Sequence, residues 1–568
     1  MSSDPNKKNL LTILVEHYFH VGAFETLIQQ RNWENFEPRY EQNTLKTLDL
    51  LDRYDTKATF FVLGWIADLN PDLVREIVAR GHEVGSRGFY HRSAKNLTPD
   101  EFREDLRRAN EAIENACGQK VVGYRAAEKL EFDQSEWILK TLSEEGFAYD
   151  ASFLPTSNNP VEKRVAHEIG VDDRKIWEFP YTTTDLGVGL LPISGGNYFR
   201  QLPYTLMRRA IKRWHKTHEN DPFVFYFHVW ELDPEQPRIS AASSMNRIRH
   251  YRKLDKMEWI LHENLALYKC TGIADHLGLK PQSVESTVNA AAPAEAFDVK
   301  PVNKSSMTPV TIVIPCYNEQ ESLPYLAKTL ASVETELNSI GYASQLLFVD
   351  DRSTDNTIEV IDTLFAGRED VQVVKHDVNK GVAGGIMTGI RAARTEIVCS
   401  IDCDCTFDPH ELVNMIPMLT EGVDLVQASP YHKDGAVQNV PGWRLLLSKG
   451  ASVLYRRILR TKIASYTACF RVLRRSAMID IEPQETGFHG VPEMLGLLDL
   501  KGGKIVEYPT VLAVRLFGAS KMKTLKTIGG TVKLMSRLAK LRFFGKSTPI
   551  QTSLTPARLT AVSKDVTK

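Results

Sequence analysis

Three short runs in the second half of the chain put carboxylates where a phosphate-bearing ligand could use them. Asp402 and Asp404 flank Cys403 in "DCDCTFDP", directly after the apolar run "EIVCSI". Aspartates two apart at a strand end can both reach one hard cation, directly or through water. Magnesium typically takes one or two carboxylates together with substrate phosphate oxygens, so the pair suits a nucleotide diphosphate leaving group. Asp350 and Asp351 end "LLFVDD" before a Ser/Thr/Asp turn, where either could accept hydrogen bonds from a base or a ribose. Tyr317, Asn318 and Glu319 end "VTIVIPCYNE" in the same way. A single acidic strand end reads as a solvated turn. Three of them point to one crevice, because ligands of open α/β sheets bind outside the carboxyl ends of the strands.

The first half holds a second constellation, and it is damaged. In "GHEVGSRGFYHR", His91 stands four residues after Arg87, where a second histidine would complete a metal-binding turn. A guanidinium is always charged, has no lone pair to offer and repels a cation. His17 and His91, with a carboxylate such as Glu16, would still make a minimal ligand set. Leu14 stands two residues before Glu16, and no base remains to activate a bound water.

These residues need scaffolds, and the sequence outlines two. A chain of 568 residues, 43% apolar and 25% charged, exceeds one hydrophobic core and is that of a folded protein. Its net charge of −1 gives no globally basic surface, so nucleic acid is not an expected partner. Seven cysteines without framework spacing fit a reducing, cytoplasmic compartment. "LTILV" near the start reads as a first strand and not as a signal peptide. No stretch approaches the roughly 20 apolar residues that cross a bilayer. Apolar runs alternate with amphipathic segments on both sides of an Ala/Ser/Pro-rich stretch, which predicts parallel sheets covered by helices. The expected organisation is a first domain over residues 1–279, a flexible linker over 280–309, a second domain over 310–546 and a disordered tail over 547–568. The run from Lys521 to Lys546 carries eight basic residues and no acidic one, with apolar residues at Leu525, Ile528, Val532, Met535 and Leu538. That makeup suits either a helix on an anionic membrane surface or a basic helix packed on its own domain.

From about residue 309 to 545 the chain resembles the family 2 glycosyltransferases of the GT-A fold, near the dolichol- and polyprenyl-phosphate sugar transferases. "VIPCYNE", "VDDRSTDNT", "NKGVAGGIMTGIRAA", "DCDCTFDP", "TACFRVLRRSAM", "GFHGVPEML" and "VRLFGASKM" carry the resemblance, in order. It implies Mg or Mn on Asp402 and Asp404 and phosphate contacts from Arg471 and Arg515. It also implies a nucleotide-sugar pocket with Pro315, Tyr317, Glu319, Asp350, Asp351 and Lys380, over which Ser520 and Lys521 close. The donor would be GDP- or UDP-linked and the acceptor a polyprenyl phosphate or a glycan, at the inner face of the cell membrane. Two elements depart from the family. Pro430 in "ASPYHKDG" takes the place of an arginine, and "TACFR" replaces "TSGFR". Lys433, Arg444 or Lys449 are the residues that could compensate in acceptor binding.

From about residue 10 to 277 the chain resembles the polysaccharide deacetylases, through "LTILVEHYFHVGAFE", "KATFFVLGWIA", "GHEVGSRGFYHR", "GYRAAEKLEF" and "FHVWELDPEQPR". The resemblance implies a distorted (β/α) barrel. Leu14 then occupies the position of the catalytic base, His17 and Arg87 those of two metal ligands, and His91 that of the third. Arg125 keeps the base-orienting position and His228 that of the acid. The expectation is a barrel without zinc and without hydrolysis, kept for glycan binding or scaffolding. The alternative is a bifunctional enzyme that deacetylates an amino sugar and transfers one.

Overall fold

The computed structural model describes residues 9–132, 136–185, 189–284, 307–440, 442–518 and 524–544. The chain divides into two compact units, Met1–Val299 and Lys300–Lys568. Residues 282–284 hydrogen-bond back to Gly118 and Lys120 of the first unit, and Thr308 opens a strand of the second. The segment expected as a linker is therefore shorter at both ends, and what remains of it, like residues 547–568, lies outside the described residues.

In the first unit the strand Asn9–Val15, buried at all seven positions, runs parallel to Phe223–His228 on one side and to Thr59–Val62 on the other. Glu83–Ser86, Gly123–Tyr124, Tyr149–Asp150 and Arg174–Glu178 follow in parallel. His167–Val171 then turns back antiparallel and ends the sheet. The barrel is thus an open one. On its far side Phe223–His228 takes, among the described residues, only a bridge from Tyr226 to Gly195. A hairpin strand occupies one edge, where ring closure would require another parallel strand. Leu14, Phe61, Tyr149, Tyr181 and Tyr226 fill the concave side. The helix Pro99–Cys117 starts at a complete capping box, Thr98 with Glu101, and ends at Gly118 in the left-handed region. Its buried Asp105 accepts hydrogen bonds from the Phe89 and Tyr90 amides, which fixes the loop between Arg87 and His91.

The second unit is a seven-stranded sheet. Its order is Val371–Lys375, Tyr342–Asp350, Thr308–Cys316, Ile397–Ser400, Arg471–Arg474, Leu425–Ser429 and Ile505–Pro509. Arg471–Arg474 is antiparallel to both of its neighbours, so the sheet is mixed and not wholly parallel as the strand and helix alternation predicts. The strand order reverses between Thr308–Cys316 and Ile397–Ser400. At such a switch point successive crossovers leave the sheet on opposite faces and open a crevice between them. Cys316 ends one of the two strands, and Ile401 and Asp402 directly follow the other.

Candidate functional site

The loops around this crevice are tied to each other. Asn318, held at φ 55°, donates its amide to Ser353 Oγ at 2.9 Å and accepts from the Thr354 amide at 2.6 Å. The Glu319 amide donates to Thr357 Oγ1 at 2.8 Å. Asp351 caps a helix: its carboxylate accepts from the Lys380 amide at 2.6 Å and the Gly381 amide at 2.7 Å, at the start of Gly381–Ala392. Gly381 sits at φ 78°, and a Cβ there would lie 2.8 Å from the Gly487 backbone. His376 Nδ1 donates to the same carboxylate at 2.8 Å. Asp350, also buried, accepts from the Ser353 amide at 3.3 Å.

Asp402 and Asp404 share the floor of the crevice with charged neighbours. Burial, and then the charge of Asp404, push Asp402 up to about 7. Burial raises Asp404 as well, against the lowering effect of Arg515. Arg515 Nη1 stands 3.4 Å from Asp404 Oδ2, its Nη2 pairs with Glu319, and its Nε donates to the Phe517 carbonyl at 2.8 Å. Ser322 Oγ holds the same Glu319 carboxylate at 3.1 Å. Two half-buried acids that resist ionisation side by side form a donor set that a hard divalent cation would satisfy, with coordination positions left for water and phosphate oxygens. The Cys469 thiol hydrogen-bonds Asp402 from beneath.

The damaged site in the first unit has a different centre from the one the motifs suggest. Glu16, with no exposed surface, accepts from Arg87 Nε at 2.6 Å and from His228 Nδ1 at 2.5 Å. His91 Nε2 lies 3.5 Å away. Burial would raise Glu16, but Arg87 and then His228 hold it well below the usual carboxylate range. Arg87 also donates to the Ala126 and Ala127 carbonyls at 2.9 and 3.2 Å. Burial pushes His91 down to about 4, so it is neutral at pH 7. His17 turns out of the site into an aromatic cluster, stacked on Phe19 at 4.6 Å and edge-on to Tyr40 at 4.7 Å. His20 stacks on His91 at 5.5 Å and lies 5.5 Å from the His17 ring, between the two histidines. These residues do not fit a zinc ion. Both Glu16 oxygens are engaged, a guanidinium fills the cation's place, and His17 and His91 do not converge.

Residues 311–482 match the family described as glycosyl transferase family 2. A dolichol-phosphate mannosyltransferase of Pyrococcus furiosus is 31% identical over 234 residues, which cover 41% of this chain and 64% of that enzyme. A polyprenol monophosphomannose synthase of Mycolicibacterium smegmatis is 30% identical over 219 residues, 37% of this chain and 80% of that one. The chain belongs to glycosyl transferase family 2. It spans less than two thirds of the Pyrococcus enzyme's length. Residues 31–144 match the polysaccharide deacetylase family, and residues 151–275 match a domain of unknown function, DUF3473. A CE4 family pseudoenzyme from Bacillus anthracis shows a slight structural likeness, at 19% identity over 48% of this chain and 66% of that one, with a TM-score of 0.26.

Within this family 2 unit Arg515 joins Glu319 to Asp404, with Asp402 beside them and Pro315 against Gly385. Tyr317 directly follows the strand Thr308–Cys316, and Asp350 and Asp351 stand at the end of its neighbour Tyr342–Asp350. Lys380 meets Asp351 through its main-chain amide. Arg471, expected as a phosphate contact, is anchored on main-chain carbonyls. It is 1% exposed and donates to the Val491 and Tyr466 carbonyls at 2.9 and 3.2 Å, and burial lowers it to about 10. Both partners are main-chain carbonyls, and the charge of Asp402 nearby favours its protonated form. Ser520 and Lys521 lie outside the described residues. Of the residues that could replace the missing family arginine, Lys449 sits 5.6 Å over the Tyr431 ring, beside Pro430. Lys433 is exposed in the same loop, and the Arg444 side chain is outside the described set.

In the first unit Leu14 is 1% exposed and packs with Tyr181 and Tyr226. Arg125 keeps its place without a base to orient. It donates to Thr12 Oγ1 at 2.6 Å, and its guanidinium lies 4.4 and 4.7 Å from the Tyr181 and Tyr226 ring centres. The residue that motif reading undervalues is Glu16. Strand alternation puts it on the same side as Leu14 and so signals an inward carboxylate.

Proposed function

We propose that the second unit moves a sugar from a GDP- or UDP-linked donor to a polyprenyl-phosphate-type acceptor, with Mg or Mn held by Asp402 and Asp404. The observation that carries this reading is the half-buried acid pair at the switch point with Arg515 alongside. An oxygen of the acceptor phosphate bonds to the anomeric carbon while the bond from that carbon to the donor diphosphate breaks, and the electron pair leaves with the nucleoside diphosphate. A bound metal would neutralise the charge growing on that diphosphate. Arg515, anchored by Glu319, adds a second positive charge at the same place. Asp350 and the loop that Asp351 caps face the nucleoside. A phosphate acceptor is already anionic at neutral pH, so it needs no protein base, whereas the hydroxyl of a glycan would; this favours the phosphate. The names of the two relatives, one a dolichol-phosphate and one a polyprenol transferase, agree with it. The test is a donor screen: protein, Mg or Mn, a panel of GDP- and UDP-sugars, and label transfer to polyprenyl phosphate. Transfer to none of them, with soluble glycans used instead, would overturn the acceptor class.

The first unit we read as a retained fold that no longer hydrolyses acetamides. The natural chain is expected to carry no stoichiometric zinc, nickel or cobalt in the first unit and to release no acetate from acetylated amino-sugar oligomers. Combining Leu14→Asp, His17→Asp and Arg87→His should restore metal binding, detectable by elemental analysis. One metal per chain in the natural protein's first unit, with acetate release that a chelator stops, would favour the bifunctional alternative.

Membrane contact at the cytoplasmic face is the third part of the proposal. No helix among the described residues is long and apolar enough to cross a membrane. On the helix Thr524–Phe544, Met535 and Leu538 of the expected stripe are spent inside the domain with Leu534. The side chains of Leu525 and Ile528 are outside the described set. What faces solvent is Val532, Leu541, Phe543 and Phe544, the last 87% exposed, with Lys533 and Lys540 between them. Phe543→Ser with Phe544→Ser is expected to lower co-sedimentation with anionic vesicles while leaving the melting temperature unchanged. Unaltered sedimentation at low and high salt would remove this helix from the membrane.

A further inference from the structure

The part of the first unit that matches a domain of unknown function carries a surface with no place in either site. The helix Tyr204–Thr217 buries Met207, Ala210, Ile211 and Trp214 in the core. Its outer side holds Arg208, Arg209, Lys212, Arg213 and Lys216. The segment 244–253 adds Arg247, Arg249, Arg252 and Lys253. Residues 203–218 and 241–254 contain no Asp or Glu, and Asp255, which follows the second, pairs with Lys256 at 3.4 Å.

Large apolar side chains stand among these cations. Met245 is 60% exposed, Ile248 55%, Trp259 50% and Leu206 38%. The pieces adjoin. Gln201 Nε2 donates to the Arg249 carbonyl at 2.9 Å, and the Tyr204 and Trp259 rings meet edge-on at 4.9 Å. The second helix, Ser244–Tyr251, is pinned from below by Arg200, which pairs with buried Glu231 at 2.8 Å and donates to the His250 and Arg252 carbonyls at 2.9 and 2.8 Å. The surface is therefore preformed. Of the acids on the neighbouring helix Met257–Leu267, Glu258 pairs with Lys46 at 2.8 Å and Glu263 lies near Tyr204.

We propose that this face docks on an anionic lipid bilayer. A soluble polyanion would use the cations and leave Met245, Ile248 and Leu206 in water. A membrane interface takes both kinds of group: lipid phosphates attract the Lys and Arg side chains, and the acyl boundary accepts aliphatic side chains and tryptophan. Charge complementarity thus selects an anionic surface, and the exposed aliphatic residues select a lipid one. None of these cations or exposed apolar residues is a partner of Glu16 or Arg87, so the role of the face does not depend on hydrolysis. It also stands independently of the transferase reading.

The experiment compares two sets of substitutions in the full chain by co-sedimentation with vesicles of phosphatidylcholine alone or mixed three to one with phosphatidylglycerol. One set is Arg208→Gln, Arg209→Gln, Lys212→Gln and Arg213→Gln; the other is Met245→Ser, Ile248→Ser and Trp259→Ser. Each is made in the natural chain and on the Phe543→Ser, Phe544→Ser background, which subtracts the C-terminal helix. Most of these side chains are exposed, while Trp259 is half-buried against Tyr204; cooperative melting curves in both sets, and the same binding loss from Met245→Ser with Ile248→Ser alone, separate docking from folding. On that background each set is expected to lower partition onto the mixed vesicles at least tenfold, while donor hydrolysis by the second unit stays constant. Full binding after the apolar set, or equal binding to neutral vesicles, would overturn the proposal. So would retention on a sulfated polysaccharide that the charge set abolishes in a protein that ignores vesicles, which would assign the face to anionic glycan.

Discussion

Asp404→Asn, and likewise Asp402→Asn, is expected to lower sugar transfer by at least a thousandfold, about 4 kcal/mol of barrier. The amide keeps the shape of the side chain and removes the charge that would hold a divalent cation. Folding should not suffer. Burial raises both carboxyls in the absence of a cation, joined at Asp402 by the charge of Asp404 and at Asp404 by that of Glu319, so replacing one of them relieves a cost. The melting temperature without metal should stay level or rise, and the added stability that Mg or Mn confers on the natural protein should vanish. Full turnover in both variants would remove the acid pair from the metal site.

The largest stability effect is expected in the first unit, from Arg87→Met. It leaves Glu16 buried with no guanidinium to answer it, and breaking a buried pair by removing one partner commonly costs about 3–5 kcal/mol. The double variant Glu16→Gln with Arg87→Met should recover part of this loss, since no charge is then stranded. Tryptophan fluorescence in urea reports the transition selectively, because seven of the eight tryptophans, all but Trp443, precede residue 260. The same pocket sets an acid limit. His91 is held neutral by burial with a folded value of about 4, below its value of roughly 6.5 in an unfolded chain. Its contribution is complete above pH 6.5 and is lost as the pH falls from there to about 4. Glu16, depressed in the folded protein, adds a loss that begins below its unfolded value of roughly 4.5. In Arg87→Met the Glu16 carboxyl rises, so the acid limb should move to higher pH. A cost under about 1 kcal/mol for Arg87→Met would mean that the pair does not hold the pocket.

The chemistry-bearing strand ends were legible because a parallel strand covered on both faces announces itself as an apolar run that stops at a polar residue. "VTIVIPCYN", "SQLLFVDD" and "EIVCSIDCD" end where the strands Thr308–Cys316, Tyr342–Asp350 and Ile397–Ser400 give way to the crevice. The antiparallel strand Arg471–Arg474 was not legible as such, since direction leaves no trace in a four-residue pattern. Partners far apart in the chain were equally hidden. Glu319 and Arg515 are 196 residues apart, and only the folded unit shows that one anchors the other beside Asp404. A motif also fixes a residue's position without fixing its rotamer. Arg471 follows the family pattern yet is buried on main-chain carbonyls, and His17, two steps from the strand end, swings into an aromatic cluster that local spacing does not reveal.

The Arg87 and Glu16 pair also bears on descent. Arg87→His alone, the step that would rebuild the metal-binding turn, strands a buried carboxylate; changing Glu16 alone strands a buried guanidinium. Either single reversion passes through a destabilised protein before any catalytic gain. A ligand site emptied by neutral loss could drift back, but one refilled by an internal ion pair works as a ratchet. On the reading that the first unit does not hydrolyse, this pair would bar a return to hydrolysis one substitution at a time.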